Sequence, residues 1–338
     1  MSAETVLVTG ASGFIGSRLA ARLVGEGRRV RCLVRASSDT ARLSALGVEL
    51  VRGDLADVAS LGDAVEGAGC VFHCAAMVSD WGTVREIARV NVAGTRGLLE
   101  AAAAASVERF VHVSTTDVYG HPGVRAVEES YRPARFANWY AQTKLEAEAE
   151  VWRVHASGAL RATILRPATV YGPGSREVIG EIARAIRARQ MLLVAGGRAN
   201  AGLCYVENLV DAALLASEHE RAGGEAINVC DGLAVSWRRF VEDLATGLGA
   251  PRPWLSLPYR PALALGLACE QGYRALRRAT GVSSPALLSR QAVQVLGVDQ
   301  DFSNRKAREL LGWEPRVGYE DGLAATLAWL TGEYLGEG

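Results

Sequence analysis

Short apolar runs alternate with stretches of helical period through the first half of this 338-residue chain. Thr5 to Thr9, Arg29 to Val34, Val48 to Arg52, Cys70 to Cys74, Arg109 to Ser114 and Ala162 to Arg166 are continuous rather than alternating, the pattern of parallel strands covered on both faces. Between them, Ile15 to Glu26, Ser60 to Glu66, Thr83 to Ala105 and Ala137 to His155 read as helices. Strands and helices alternating at this length predict a doubly wound α/β sheet with right-handed crossovers and helices on both sides. Ala101 to Ala105 are good helix formers that permit close packing on the sheet. The alternation loosens after the turn Tyr171-Gly172-Pro173-Gly174. Beyond it, Val206 to Ala216 reads as a helix packing back on the core and Ala226 to Cys230 as a further strand. Pro261 to Arg278 and Asn304 to Leu311 read as helical. The expected division is a sheet domain over residues 1–173, with returns at about 203–232 and 312–332. Residues 174–202 and 233–311 then form a smaller, mostly helical substrate-binding region.

Composition narrows the function classes. Apolar residues at 49% and charged residues at 22% are ordinary globular usage, which argues against disorder. The 37 basic and 37 acidic residues cancel, so a sequence-independent grip on nucleic acid or on an anionic membrane surface is not expected of the chain as a whole, although a local patch remains compatible with this balance. Pro261 to Ala268 is apolar but too short to span a bilayer, and no membrane span is expected. No leader is legible at the N-terminus, and a cytoplasmic protein is expected. The six cysteines show no Cys-x-x-Cys pair and no histidine at ligand spacing, so reduced, buried thiols and no metal are expected. Lysine occurs only at Lys144 and Lys306, every other basic residue being arginine, which makes each lysine worth a question.

Candidate chemistry begins just after the first strand. Gly10, Gly13 and Gly16, with Ser12, Phe14 and Ile15 between them, open the first helix in the spacing Gly-x-x-Gly-x-x-Gly. Glycines here permit a tight turn, close backbone approach to a pyrophosphate and close helix packing, while the helix N-terminus attracts the anion. A dinucleotide is therefore expected there. At the end of the second strand an acid would select NAD and an arginine the 2′-phosphate of NADP. The chain reads Arg35-Ala36-Ser37-Ser38, with no acid before Asp39, which favours NADP(H) through Arg35 and Ser38 and leaves NAD(H) possible. Arg35 stacked on the adenine or facing solvent is the plainer alternative. Asp54 and Leu55, past the third strand, suit the adenine edge, while an aspartate there equally suits a helix N-cap.

Tyr140 and Lys144 stand at i and i+4, on one face of a helix. A neighbouring ammonium would favour the phenolate and bring the Tyr140 pKa down toward the working pH, making it a usable acid or base. A surface pair has the same spacing, but the scarcity of lysine favours a special role. Ser114, Thr115, Thr116 and Asp117 lie at the carboxyl end of the fifth strand, where open α/β sheets hold ligands. One of these hydroxyls could hold a substrate oxygen, and a capped turn is the alternative.

In that order, the motifs TGASGFIG (9–16), Asp54-Leu55, His73-Cys74-Ala75-Ala76, Asn91-Val92-Ala93-Gly94-Thr95, STTDVYG (114–120), YAQTK (140–144), RPATVYGPG (166–174) and VENLVDA (206–212) resemble the extended short-chain dehydrogenase/reductase family over nearly the whole chain. The resemblance implies a Rossmann fold, Tyr140 as proton donor or acceptor, Lys144 as its partner and ribose anchor, and Thr115, beside Ser114, as the hydroxyl that orients the substrate. Cys74, Ala75, Ala76 and Asn91 would border the cofactor, with Pro167, Ala168 and Val170 near the nicotinamide. Val78, Trp81, Thr116, Asp117, Tyr171 and Arg176 would face a small-molecule substrate. The family likeness also implies a homodimer through the helices Thr83 to Ala105 and Ala137 to His155. Met77 to Gly82, the apolar stretch from Ala262 to Glu270 and the closing segment from Phe302 to Pro315 are similar to the branch of 3β-hydroxysteroid dehydrogenases and dihydroflavonol-type reductases. The implied reaction is reduction of a ketone, or oxidation of the secondary alcohol, on a rather apolar molecule. The stretch from Ala262 to Glu270 suits such a pocket, and equally a packed helix. Thr115 and Asp117 also look similar to the pair used by nucleotide-sugar dehydratases, epimerases and decarboxylases that retain their cofactor, although Asp117 is one carbon shorter than the glutamate usual there. A dinucleotide sensor would need the glycines but not Thr115, Tyr140 and Lys144 together.

Overall fold

The computed structural model describes residues 4–78, 83–132, 139–280 and 288–336. Strands β1 (Thr5–Thr9), β2 (Arg29–Val34), β3 (Glu49–Arg52), β4 (Ala68–His73), β5 (Arg109–Val113) and β6 (Arg161–Pro167) are followed by β7 (Thr169–Tyr171), β8 (Leu193–Val194), β9 (Leu203–Tyr205), β10 (Ala226–Val229) and β11 (Ser256–Leu257). One parallel sheet has the order β3-β2-β1-β4-β5-β6-β10, while β7 pairs with β9 and β8 with β11. This is the doubly wound Rossmann-like α/β architecture. Every residue of β1 is buried, as its unbroken apolar sequence requires of a central strand. The strand order reverses between β1 and β4, which opens a crevice at their carboxyl ends, the place where such sheets hold ligands.

The helices are α1 (Phe14–Gly25), α2 (Ala41–Ala45), α3 (Gly62–Val65), α4 (Val84–Ala88), α5 (Thr95–Ala104), α6 (Trp139–Ala156), α7 (Glu181–Arg187), α8 (Val206–Glu218), α9 (Trp237–Gly247), α10 (Tyr259–Thr280), α11 (Arg290–Gly297), α12 (Arg305–Leu311) and α13 (Tyr319–Trp329). Leu19, Leu23, Val210 and Trp313 belong to the core on one face of the sheet, and Leu61, Leu98, Leu99 and Val151 to the core on the other. A third core joins Ile186, Trp237, Phe240 and Leu244 to Leu323 and Trp329 of α13. The single helix expected over 83–105 is divided: a π-helical turn at Arg89–Gly94 separates α4 from α5. There the Thr95 hydroxyl donates to the Asn91 carbonyl (2.7 Å). A Cβ on Gly94 would stand 2.7 Å from that of Leu55, so the turn is drawn tightly against the sheet side. Such bulges recur where a side chain must be aimed into a site, and Asn91 lies in this one. The cysteines carry free thiols, four of them buried. Among the described residues no helix is long and apolar enough to cross a membrane.

Candidate active site

The glycine loop is built for close approach. Gly10 has φ +69°, and a Cβ there would lie 2.7 Å from the Ala75 nitrogen. A Cβ on Gly16 would lie 2.3 Å from the Gly10 carbonyl oxygen, so α1 can begin where it does only with glycine. Gly13 caps α1 with no side-chain bond, and no acid stands in the first turn. The first N–H groups and the positive end of the helix are thus left to an external anion. Ser12 is exposed at the rim, Ile15 packs toward the core, and the Phe14 ring lies under Gly174 (φ +101°), whose Cβ would be 3.3 Å away. This cradle fits the pyrophosphate of a dinucleotide.

Arg35 is exposed at the end of β2, and its guanidinium makes no hydrogen bond or ion pair among the described residues. Its loop is closed by the Ser38 N–H donating to the Arg35 carbonyl (3.1 Å) and the Arg35 N–H donating to Ser38 Oγ (3.2 Å). Arg52, at the end of the neighbouring β3, donates to the same carbonyl (2.8 Å). Two guanidinium groups therefore flank one loop; Arg52 was not named from sequence, because only the pairing of β2 with β3 brings it there. Asp54 Oδ1 accepts from the Ala56 N–H (2.9 Å), an Asx turn rather than an N-cap. The Leu55 side chain is 6% exposed and sits in the core, which corrects its expected place at the adenine edge: only its backbone is left for that.

The loop after β4 is held from both sides. Thr95 gives its one proton to Asn91, so His73 Nε2 donates to Thr95 Oγ1 (2.9 Å) and His73 Nδ1 accepts from the Thr9 hydroxyl (2.7 Å). Burial first, and then Lys144, press the His73 pKa down to about 3, so this ring stays neutral. The Ala75 N–H donates to Thr9 Oγ1 (3.3 Å), and burial pushes the Cys74 thiol up to about 12. Cys74, Ala75 and Ala76 stay half-exposed beside the glycine loop, and Val78 is exposed. The Asn91 amide accepts from the Met77 N–H (2.7 Å) and donates to the Met77 carbonyl and to Thr143 Oγ1 (3.2 Å each). Asn91 thus shapes the cofactor side of the site by fixing this loop to α6. Trp81 lies outside the described residues.

Tyr140 and Lys144 do share a face of α6, but the expected effect of one on the other is corrected. Lys144 is 2% exposed, and its ammonium points down onto β5, donating to the Val113 carbonyl (2.7 Å) and to His112 Nε2 (3.2 Å). Burial brings Lys144 down to about 8 against the pull of Glu148. The half-buried Tyr140 has its pKa raised, by burial first and then by Asp117 and Glu177. Its phenol is therefore held protonated, a donor rather than a base. Thr115 Oγ1 accepts from the Asp117 N–H (3.1 Å), which leaves its own proton free to donate outward.

Ser114 is turned the other way, correcting its expected place beside the substrate: its hydroxyl donates to Glu148 Oε1 (2.6 Å). Glu148 also takes a bidentate grip from Arg166, with Nε at 2.9 Å and Nη2 at 2.6 Å, both side chains almost wholly buried. Arg166 continues through the Tyr119 hydroxyl (2.8 Å) to Asn228 (2.6 Å). This buried polar girder under the site went unread; its one signal was an acid one helical turn past Lys144. Tyr171 is likewise corrected: its ring is wholly buried against Tyr205 and Phe240 and presents no surface to a substrate. Thr116 is 4% exposed inside its turn, which corrects its expected contact with substrate. Pro167 is paired with Val229, Ala168 packs with Tyr119 and Phe302, Val170 packs partly into the sheet core, and Arg176 is exposed beside Glu177.

Asp117 faces an unforeseen partner set. Gln291 of α11 donates its amide to Asp117 Oδ2 (3.1 Å) and to His121 Nε2 (3.1 Å), while His121 Nδ1 meets Gln300 Oε1 (3.1 Å). Burial raises the Asp117 pKa, and His121 opposes that shift. His121 holds its ring there with a backbone φ of +55°, a strained value for a residue with a side chain.

Comparison with known proteins adds the following. The model of the NAD dependent epimerase/dehydratase family matches residues 6–230. The chain is similar to the 4-hydroxy-2-methyl-3-oxo-4-farnesyl-3,4-dihydroquinoline-1-oxide ketoreductase of Stigmatella aurantiaca, 34% identical over 94% of each chain. It is similar to the 3-beta-hydroxysteroid dehydrogenase of Mycolicibacterium neoaurum, 30% identical over 96% of this chain and 91% of that one. Among solved structures it resembles MoeE5 in complex with UDP-glucuronic acid and NAD, with TM-score 0.74 and 29% identity over 96% and 98% of the two chains.

Proposed function

This chain belongs to the NAD dependent epimerase/dehydratase family, and from that premise we propose that it is an NADP(H)-dependent reductase of a ketone on a fairly apolar small molecule. That it is an NAD(P)-dependent oxidoreductase follows from its relatives; the direction, the cofactor preference and the residues are our reading. The observation that carries it is Tyr140, a half-buried phenol kept protonated by burial and by the charge of Asp117, the residue whose N–H leaves the Thr115 hydroxyl its proton to spare. Such a pair suits a carbonyl oxygen that gains negative charge: Thr115 orients it, and Tyr140 delivers the proton as the charge develops. When bound, the nicotinamide supplies the hydride. Lys144 has used two of its three N–H donors on Val113 and His112, leaving one for a ribose hydroxyl. Arg35 and Arg52 would hold the 2′-phosphate that distinguishes NADP. The charged groups acting on Tyr140 are carboxylates, Asp117 and Glu177, which suit a neutral substrate better than a nucleotide sugar. On this reading the large sheet holds the cofactor, and α11 brings Gln291 to the substrate side.

The test is NADPH consumption over apolar ketones, steroids and nucleotide sugars, with Tyr140→Phe beside the wild type. The variant is expected to keep its NADPH affinity and lose about 10² to 10⁴ in kcat. Undiminished turnover would remove Tyr140 from the reaction. Protein that carries its own cofactor, never consumes it and converts a nucleotide sugar would replace the reductase with an epimerase or dehydratase.

A further inference from the structure

Helix α10 is apolar on the side that meets the protein and also on the side that does not. Inward, Ala262 packs with Val194 and Val293, and a Cβ on Gly266 would stand 3.1 Å from the Ser289 backbone. Glu270, 5% exposed, accepts from the Arg290 backbone N–H (2.8 Å) and from its Nε (2.9 Å). Outward lie Ala264, Leu265, Leu267, Ala268, Gln271 and Gly272, all exposed, with Gln271 the one polar group among these six. A helix on a water-facing surface normally reverses this pattern. The loop leading into α10 adds Trp254, 84% exposed, and Leu255, 44% exposed.

The charges choose the occupant. Glu270 is the sole acid in the α10 sequence, and it is turned inward and consumed by Arg290. Arg252 and Arg260 are exposed, and among the described side chains of the outer face there is no acid, so the segment offers basic and apolar groups together. A second copy of the helix would set arginine against arginine. A surface with anionic headgroups over an apolar interior complements both features, and exposed tryptophan and leucine are the side chains that anchor at such a boundary. The chain's zero net charge does not oppose this, because the field of a local patch is screened from the rest of the surface within about 10 Å.

We propose that the outer face of α10, with Trp254 and Leu255 ahead of it, is a membrane-contact surface that lies in the plane of an anionic bilayer. The helix rests in the interface and does not cross it. The inference stands apart from the reductase reading, since none of these residues touches the candidate active site.

Flotation of the full-length protein with vesicles of phosphatidylcholine alone, or of phosphatidylcholine with phosphatidylglycerol, tests it. The wild type is expected to float with the anionic vesicles, less so as salt is raised. Arg252→Gln/Arg260→Gln should weaken binding by about fivefold for each arginine removed, and Leu265→Glu/Leu267→Glu should abolish it. Both pairs are surface changes, and an unaltered melting temperature and unaltered NADPH affinity confirm an intact fold. Failure to float with either vesicle overturns the proposal. So does equal, salt-independent binding to both. Light scattering that finds a dimer broken by Leu265→Glu/Leu267→Glu, with no lipid binding, would assign the face to a second copy instead.

Discussion

Replacing Glu148 by glutamine keeps the shape of the side chain and removes one charge from the buried girder beneath the site. The guanidinium of Arg166 then loses one of two carboxylate acceptors that lie at 2.6 and 2.9 Å, in a place with almost no access to water. Stranding a buried charge in this way costs about 3 to 5 kcal/mol. For a chain of this size that lowers the melting temperature by about 6 to 10 °C, at about 2 °C per kcal/mol. Removing both partners leaves no stranded charge, so Glu148→Gln/Arg166→Met should be less destabilised than Glu148→Gln alone. Urea unfolding followed by circular dichroism measures both. The same substitution also touches Lys144, whose ammonium burial brings down to about 8 and Glu148 partly supports. Without Glu148 the Lys144 pKa falls further. If the ammonium is needed for turnover, the alkaline decline of kcat/KM moves to lower pH in the variant. A Glu148→Gln protein within about 1 kcal/mol of the wild type would mean that Arg166 finds another acceptor or water, and the argument from burial would fail.

Two other outcomes check the cofactor side, beyond the Tyr140→Phe assay. Gly16→Ala drives a Cβ to within 2.3 Å of the Gly10 carbonyl, backbone against backbone, so fluorescence titration should show NADPH affinity at least about tenfold weaker, the equivalent of 1.4 kcal/mol; unchanged affinity would show that the loop yields freely. Arg35→Ala and Arg52→Ala should each weaken NADPH by about tenfold, as the loss of a charge-assisted phosphate contact does, while leaving NADH nearly untouched. Equal losses for both cofactors would make these arginines general contacts rather than readers of the 2′-phosphate.

The sheet and the glycine loop were legible because their signals are local. β1 begins and ends where its apolar run does, since a central parallel strand has no water-facing side to interrupt the pattern, and in β2 two arginines precede the buried Cys32-Leu33-Val34. Glycines after such a strand announce a backbone that must come close to something. Spacing likewise placed Tyr140 and Lys144 on one face of α6. What an i, i+4 spacing cannot carry is where a long side chain goes once it is buried. Lys144 turns to the Val113 carbonyl and His112, and the phenol is governed instead by Asp117 and Glu177, so its pKa moves up where the spacing alone suggested down. The runs Thr169–Tyr171 and Leu203–Tyr205 concealed a second pair, β7 with β9, because strands of three residues carry too few positions for periodicity to register.

The sequence alone thus determined the strand-and-helix alternation, the tight glycine turn that opens α1 and the placing of Tyr140 and Lys144 on one face of α6, all of them properties of residues near one another in the chain. Only the tertiary structure decided that Ser114 serves Glu148 and Arg166, that Tyr171 belongs to an aromatic core, that Arg52 joins Arg35, and that Gln291 reaches Asp117 across the molecule. Burial and charge act through space, and a group's protonation and partners are set by whatever the fold brings within a few ångströms of it.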